Sequence, residues 1–171
     1  MSLEDTFLNF SAGSLESLMG RIETSAGKLS REQVWLRGAE NVNAAGNLLL
    51  HLEGNVRQWI LGGLCGEGNA RDREAEFAAR GGSEPAALLR LLRATVDQAV
   101  ARLRSLPHAR LSERIVVQGY EVTGLEAVAH VVEHFSGHAF QIFFITKMLT
   151  GEDLGFYAHL SKPQARLDPQ P

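Results

Sequence analysis

Apolar residues recur at helical spacing over four long stretches of the chain. Between residues 5 and 28, Phe7, Leu8, Leu15, Leu18, Met19 and Ile22 share a face, with Glu16, Arg21 and Glu23 between them. A second stretch, 44–61, carries Ala45, Leu48, Leu49, Leu52, Val56, Trp59 and Ile60. Gly46 and Gly54 lower its intrinsic propensity, so packing must hold it. The third stretch is punctuated by Ser83 as N-cap, Glu84 and Pro85 in the first turn and Pro107 beyond the end. Leu88, Leu91, Leu92, Val96, Val100 and Leu103 form its stripe. The fourth opens at Thr123 with a capping box to Glu126 and stops at Gly151. Its 127–148 run is apolar around most of the circumference, the pattern of a buried helix.

The connections are less regular. Residues 30–43 read as a loop or short helical turn on which Trp35 docks as a core plug. Residues 62–83 make a long connection for a bundle, with Arg71, Asp72, Arg73, Glu74 and Glu76 reading as a solvated face and Phe77 as an anchor. Ile115 to Val117 and Tyr120 to Val122, on either side of Gln118-Gly119, predict a short hairpin or an extended crossing before the fourth helix. Phe156, Tyr157 and Leu160 fit a short closing helix, and 162–171 a frayed tail. The pattern predicts an all-α fold, a four-helix bundle in a single domain over 1–171.

Composition narrows the partners. The chain has 171 residues, 44% hydrophobic and 22% charged, with a net charge of −3. That is an ordinary globular balance and argues against a nucleic-acid footprint. No uninterrupted apolar run reaches membrane-spanning length, and the N-terminus lacks a signal-peptide pattern. The single Cys65 cannot form an internal disulfide, and no histidine or lysine flanks it to activate it as a nucleophile. These features predict a cytoplasmic protein without nucleic-acid or membrane partners.

The candidate chemistry is imidazole. His130, His134 and His138 are three of the chain's six histidines, each four residues after the last. They lie along one stripe of the fourth helix, continued by Gln141, Ile145 and Met148. A lone histidine in such a helix is most simply a hydrogen-bonded core residue, but two at i, i+4 can reach one ion. On the second helix His51 stands between Asn47 and Asn55. If buried, that polar stripe needs partners, at about 1–3 kcal/mol per unsatisfied group. Bundles build metal sites between facing helices, which lets His51 meet His134 and His138. A metal on His51 or a structural hydrogen-bond network would each satisfy the stripe. Competing patterns fit worse. His130 to His134 matches H-x-x-E-H, but Glu133 lies off the histidine stripe, and only Glu152 and Asp153 follow as acids. The Glu-x-x-His pairs of di-iron bundles are missing after Glu126 and Glu133, and nothing selects haem.

The histidine on the second helix, within NLLLHLEGNVRQW (Asn47 to Trp59), and the H-x-x-x-H pair His134 to His138 followed by Gln141-Ile142 resemble the DinB-like (damage-inducible B) superfamily. The resemblance covers nearly the whole chain in helix order. It implies up-down-down-up connectivity, one divalent metal ion on His51, His134 and His138, and a homodimer. His130 is then the extra histidine, near the site rather than on the ion. Some members are thiol-dependent transferases using mycothiol or bacillithiol, and many have no assigned activity. Zinc or nickel is the first expectation for the ion, with iron or manganese as alternatives. Three neutral ligands leave coordination positions open, as catalytic sites do. The expected activity is therefore S-transferase-like: a metal-activated low-molecular-weight thiol or water attacking a small electrophilic substrate. No catalytic residue is assigned, because Asn55 and Gln141 can orient a group but cannot take its proton. The alternative is a non-catalytic, metal-stabilised dimer with a sensing or binding role, pairing through apolar surface on the first and third long helices.

Overall fold

The computed structural model describes residues 1–68 and 70–161; the expected frayed tail lies outside them. Four long helices carry the fold: α1 (Leu3–Ala26), α3 (Ala45–Val56, extended by a π-helical segment Arg57–Leu64), α5 (Pro85–Arg104) and α7 (Gly124–Thr150). Short helices α2 (Arg31–Val34), α4 (Arg73–Ala78) and α6 (Ala109–Ser112) lie in the connections. Strands β1 (Arg114–Val117) and β2 (Tyr120–Thr123) pair antiparallel, and a 3-10 turn closes at Ala158–Ser161.

The helix ends follow side-chain chemistry. Ser2 and Asp5 form a capping box on α1, and Thr123 and Glu126 form one on α7. Each supplies acceptors to amides that have no partner inside the helix. Gly151 ends α7 in the left-handed conformation (φ 70°). The N-cap of α5 is Glu84, without a side-chain bond, and not Ser83 as the sequence predicts. Ser83 instead offers its carbonyl to the Trp35 indole Nε1 at 2.9 Å. That bond holds the α2 segment against the start of α5, with the half-buried Trp35 ring lying over Gly46. Gln118 and Gly119 both have positive φ, the two-residue hairpin turn whose twist matches that of its strands.

Cross-helix pairs fix the directions. Glu23 bonds Arg93 and Glu16 bonds Arg104, so α1 and α5 run antiparallel. Glu53 bonds Thr95 and, further along both chains, Glu67 bonds Arg102, so α3 and α5 run parallel. His51 faces His138 while Trp59 faces His130, so α3 and α7 are antiparallel. The chain therefore runs up, down, down, up, with α1 and α3 each packed on α5 and α7. Leu15, Met19, Ile22, Leu52, Leu92 and Phe135 are fully buried at the centre.

Phe135 sits one residue after His134, and its ring fixes the rotation of α7. Phe135→Ala should cost about 3–5 kcal/mol in urea denaturation, as aromatic truncations in cores do. Phe10→Ala, on a side chain 69% exposed, should stay within about 0.5 kcal/mol.

Candidate metal centre

α3 and α7 face each other through three imidazoles. His51, His134 and His138 each offer a ring nitrogen, and these atoms all lie within 4.8 Å of one another. Among the described residues they form a group that could hold a metal ion. His51 Nε2 and His134 Nε2 are 3.1 Å apart. Two ligands at 2.0–2.1 Å from a tetrahedral ion would stand about 3.3 Å apart, so this pair already has ligand spacing.

Hydrogen bonds aim the rings. His51 Nδ1 lies 2.9 Å from Glu76 Oε2. A carboxylate oxygen only accepts, so the proton between them is on Nδ1, and Nε2 keeps its lone pair toward the other histidines. Arg71 Nη2 also approaches Nδ1, at 2.9 Å, but its hydrogens have oxygen acceptors in Glu76 and the His51 carbonyl. His138 Nδ1 pairs with Gln141 Oε1 at 3.1 Å, which leaves its Nε2 bare as well. His134 Nδ1 is buried without a partner.

The electrostatics keep the two rings of α7 uncharged. Burial first, then the neighbouring His138, His51, His130 and Arg71, push His134 down to about 3. His138 is also lowered, mainly by burial, against the opposing effect of its bond to Gln141. Burial alone would raise Glu76, but hydrogen bonds from Arg71 and His51 outweigh it and hold the carboxyl below its ordinary value. The donor set thus fits a divalent cation: three imidazoles, with one carboxylate behind the first of them.

Glu76 and Arg71 correct the sequence analysis, which puts them on a solvated face. Side-chain exposure is 10% for Glu76 and 3% for Arg71. Asn47 explains how a charged connection comes to be buried. Its Nδ2 donates to the carbonyls of Glu76 and Ala79, both at 2.9 Å, while its Oδ1 accepts from Arg37 and from the Ala44 amide. The polar stripe of α3 therefore docks α4 against the bundle and delivers Glu76 to His51. The demand for partners is visible in the sequence around His51; the segment that meets it is not. Phe77 does act as an anchor, its ring 4.6 Å from that of His51.

His130 stays outside the group of three. Its ring lies against Trp59, tilted by 37° with centroids 4.1 Å apart, and is lowered by burial. Glu133 is exposed, which removes the H-x-x-E-H arrangement. Asn55 is buried with Oδ1 unpartnered. A cleft of about 740 Å³ opens beside the histidines, lined by His51, Asn55, Trp59, Arg71, His130 and His134 among others. The π-helical segment turns Trp59 toward it, and the hairpin closes one side with Gln118, whose Oε1 accepts from Trp59 Nε1. Cys65 is half-buried and outside the histidine group, and burial raises its thiol.

A family profile described as "Protein of unknown function (DUF1572)" matches residues 2–166. The chain belongs to the DUF1572 family. Among solved structures it is similar to a conserved protein from Enterococcus faecalis, at 15% identity and a TM-score of 0.74, over 89% of this chain and 99% of that one. At that identity the likeness speaks to the fold alone. No curated protein sequence matches the chain.

Gly54 is where this geometry can be perturbed from beneath. A methyl group there would overlap Glu76 Oε1 and approach Arg71 Nε to 2.7 Å. Gly54→Ala should therefore push Glu76 off His51 and destabilise the protein by about 1–3 kcal/mol, the cost of unsatisfied buried polar groups. In imidazole ¹⁵N spectra of the metal-free protein, His51 should change from a single Nδ1–H tautomer to a mixture.

Proposed function

We propose that the protein binds one divalent metal ion on His51, His134 and His138, and that this ion serves a small-molecule transfer reaction. The observation that carries the reading is the buried Glu76 carboxylate, which holds the proton of His51 on Nδ1 and turns its Nε2 to the two histidines of α7. A ring satisfied only by its neighbours would not need that orientation, whereas metal-bound histidines are commonly braced in this way. Gln141 does the same for His138. Zinc or nickel suits three imidazoles best, with iron or manganese as alternatives.

The all-α bundle and the three histidines on its second and fourth long helices fit membership of the DinB-like superfamily. Three neutral ligands leave room on the ion, and such an ion lowers the pKa of a bound thiol or water. The cleft would receive the rest of the reactants. Trp59 and His130 offer an aromatic wall, and Arg71 lends positive charge. Asn55 offers its amide to a donor at the inner end. We take the reactants to be a low-molecular-weight thiol and a small electrophile, with water as the alternative nucleophile, and the working unit to be a cytoplasmic, single-domain homodimer. A second reading, a metal-stabilised protein without turnover, needs the histidines but leaves the open cleft unused.

Metal analysis of tag-free protein should find about one divalent ion per chain in the wild type and none in His51→Ala, as expected for a site with three ligands. Glu76→Gln should keep the ion but bind it about 10–100-fold more weakly, measured by chelator competition. Thiol conjugation to a panel of electrophiles should be faster with metal-loaded than with chelated protein. Equal rates would remove the transferase reading and leave the binding protein. No ion in the wild type after incubation with zinc or nickel would remove both.

A further inference from the structure

The exposed face of α7 carries large apolar side chains. Phe140, Phe144 and Met148 are 53%, 64% and 68% exposed, on a helix that also buries Val131, Phe135, Ala139 and Ile142 in the core. Together with Leu36 and Val42 they line an apolar groove of about 950 Å³ between α7 and the residue 36–43 loop. An apolar patch of this kind on a soluble domain marks a contact surface.

The order of residues along the face says what covers it. Glu133, Gly137, Phe140, Phe144 and Lys147 are all exposed and follow one another at steps of four, three, four and three. That is the heptad spacing of paired helices, here two phenylalanines with one opposite charge at each end. The seam is also its own complement when reversed. Glu133 lies seven residues before Phe140 and Lys147 seven residues after it. We infer that a second copy of this chain docks here, α7 against α7 and antiparallel, with the two-fold axis at Phe140. Glu133 then faces the partner's Lys147 and Lys147 the partner's Glu133, so the charges match twice. Phe144 meets the partner's α7 near Gly137, where a Cβ would find nothing within 4 Å and the ring has space to enter. An isologous contact needs such self-complementarity, and a parallel pairing would oppose like charges. Gln141, which holds His138 Nδ1, lies at the edge of this face, so pairing shields that bond from water. This inference rests on the homodimer reading and moves the contact from the first and third long helices to the fourth.

The test is sedimentation velocity of the full-length protein at tens of micromolar, beside Phe144→Asp, Glu133→Lys, Lys147→Glu and the Glu133→Lys/Lys147→Glu double variant. All three positions are exposed, so far-UV circular dichroism and metal content should not change. The wild type should be dimeric and Phe144→Asp monomeric. Each single charge reversal should weaken the dimer about tenfold or more, as expected of like charges set opposite each other, and the double variant should recover it. A dimer untouched by Phe144→Asp would overturn the inference and leave the homodimer standing. Dissociation by Phe144→Asp without any response to charge reversal would overturn the antiparallel register. A monomeric wild type would overturn both and leave the groove to a different partner.

Discussion

The structure depends on one buried ionic assembly, Arg71 and Glu76 against His51. Two charges taken out of water are costly unless their remaining hydrogen-bonding capacity is met. Here it is met almost completely. Glu76 accepts from Arg71 through both oxygens and from His51 through one, and Arg71 also donates to Gln58. Removing either partner would strand the other beneath a helix. The assembly thus ties the 62–83 connection to α3 more tightly than apolar contact alone would, and it fixes one imidazole of the candidate centre. Asn47 is its backbone counterpart, holding two carbonyls of the same segment one turn earlier on α3.

From that anchor the division of labour among the helices follows. α1 and α5 contribute little beyond apolar packing and the ion pairs that set their direction. α3 and α7 carry polar side chains on their facing sides, and antiparallel packing brings His51 level with His134 and His138 and Trp59 level with His130. The helix widens into a π-helical segment from Arg57, and Trp59 within it is at once a buried core residue and a wall of the cleft. Such segments recur at functional sites because they re-aim side chains without breaking the helix. α7 then serves two surfaces: histidines toward α3, and phenylalanines away from the bundle.

Much of this was legible in the chain. The four helical periods, the capping box at the start of α7, the Gly151 stop and the Gln118-Gly119 turn all follow from interactions between residues a few positions apart. That His51 could meet histidines of α7 was legible too, from a polar stripe on α3 facing a histidine stripe on α7; the choice of His134 and His138 over His130 came from the resemblance to the DinB-like pattern, and the three rings do lie together. The role of the 62–83 connection was not. Arg71 and Glu76 sit in a run of charges, and a run of charges is most often solvated; nothing local distinguishes these two from Arg73 and Glu74. Likewise Gly54 reads as a weak point in a helix, when its missing side chain is what lets the ion pair approach.

The sequence by itself determined the elements and the chemistry available: four amphipathic helices, their order, and imidazoles on two of them. Those depend on local propensity and on periodicity, which short-range interactions write directly into the chain. The tertiary structure alone decided which charges are buried, which nitrogen of each histidine faces inward, and which apolar residues of α7 remain outside. Each of these depends on segments far apart in sequence competing for the same space and the same hydrogen bonds, and that competition is settled only when the helices pack.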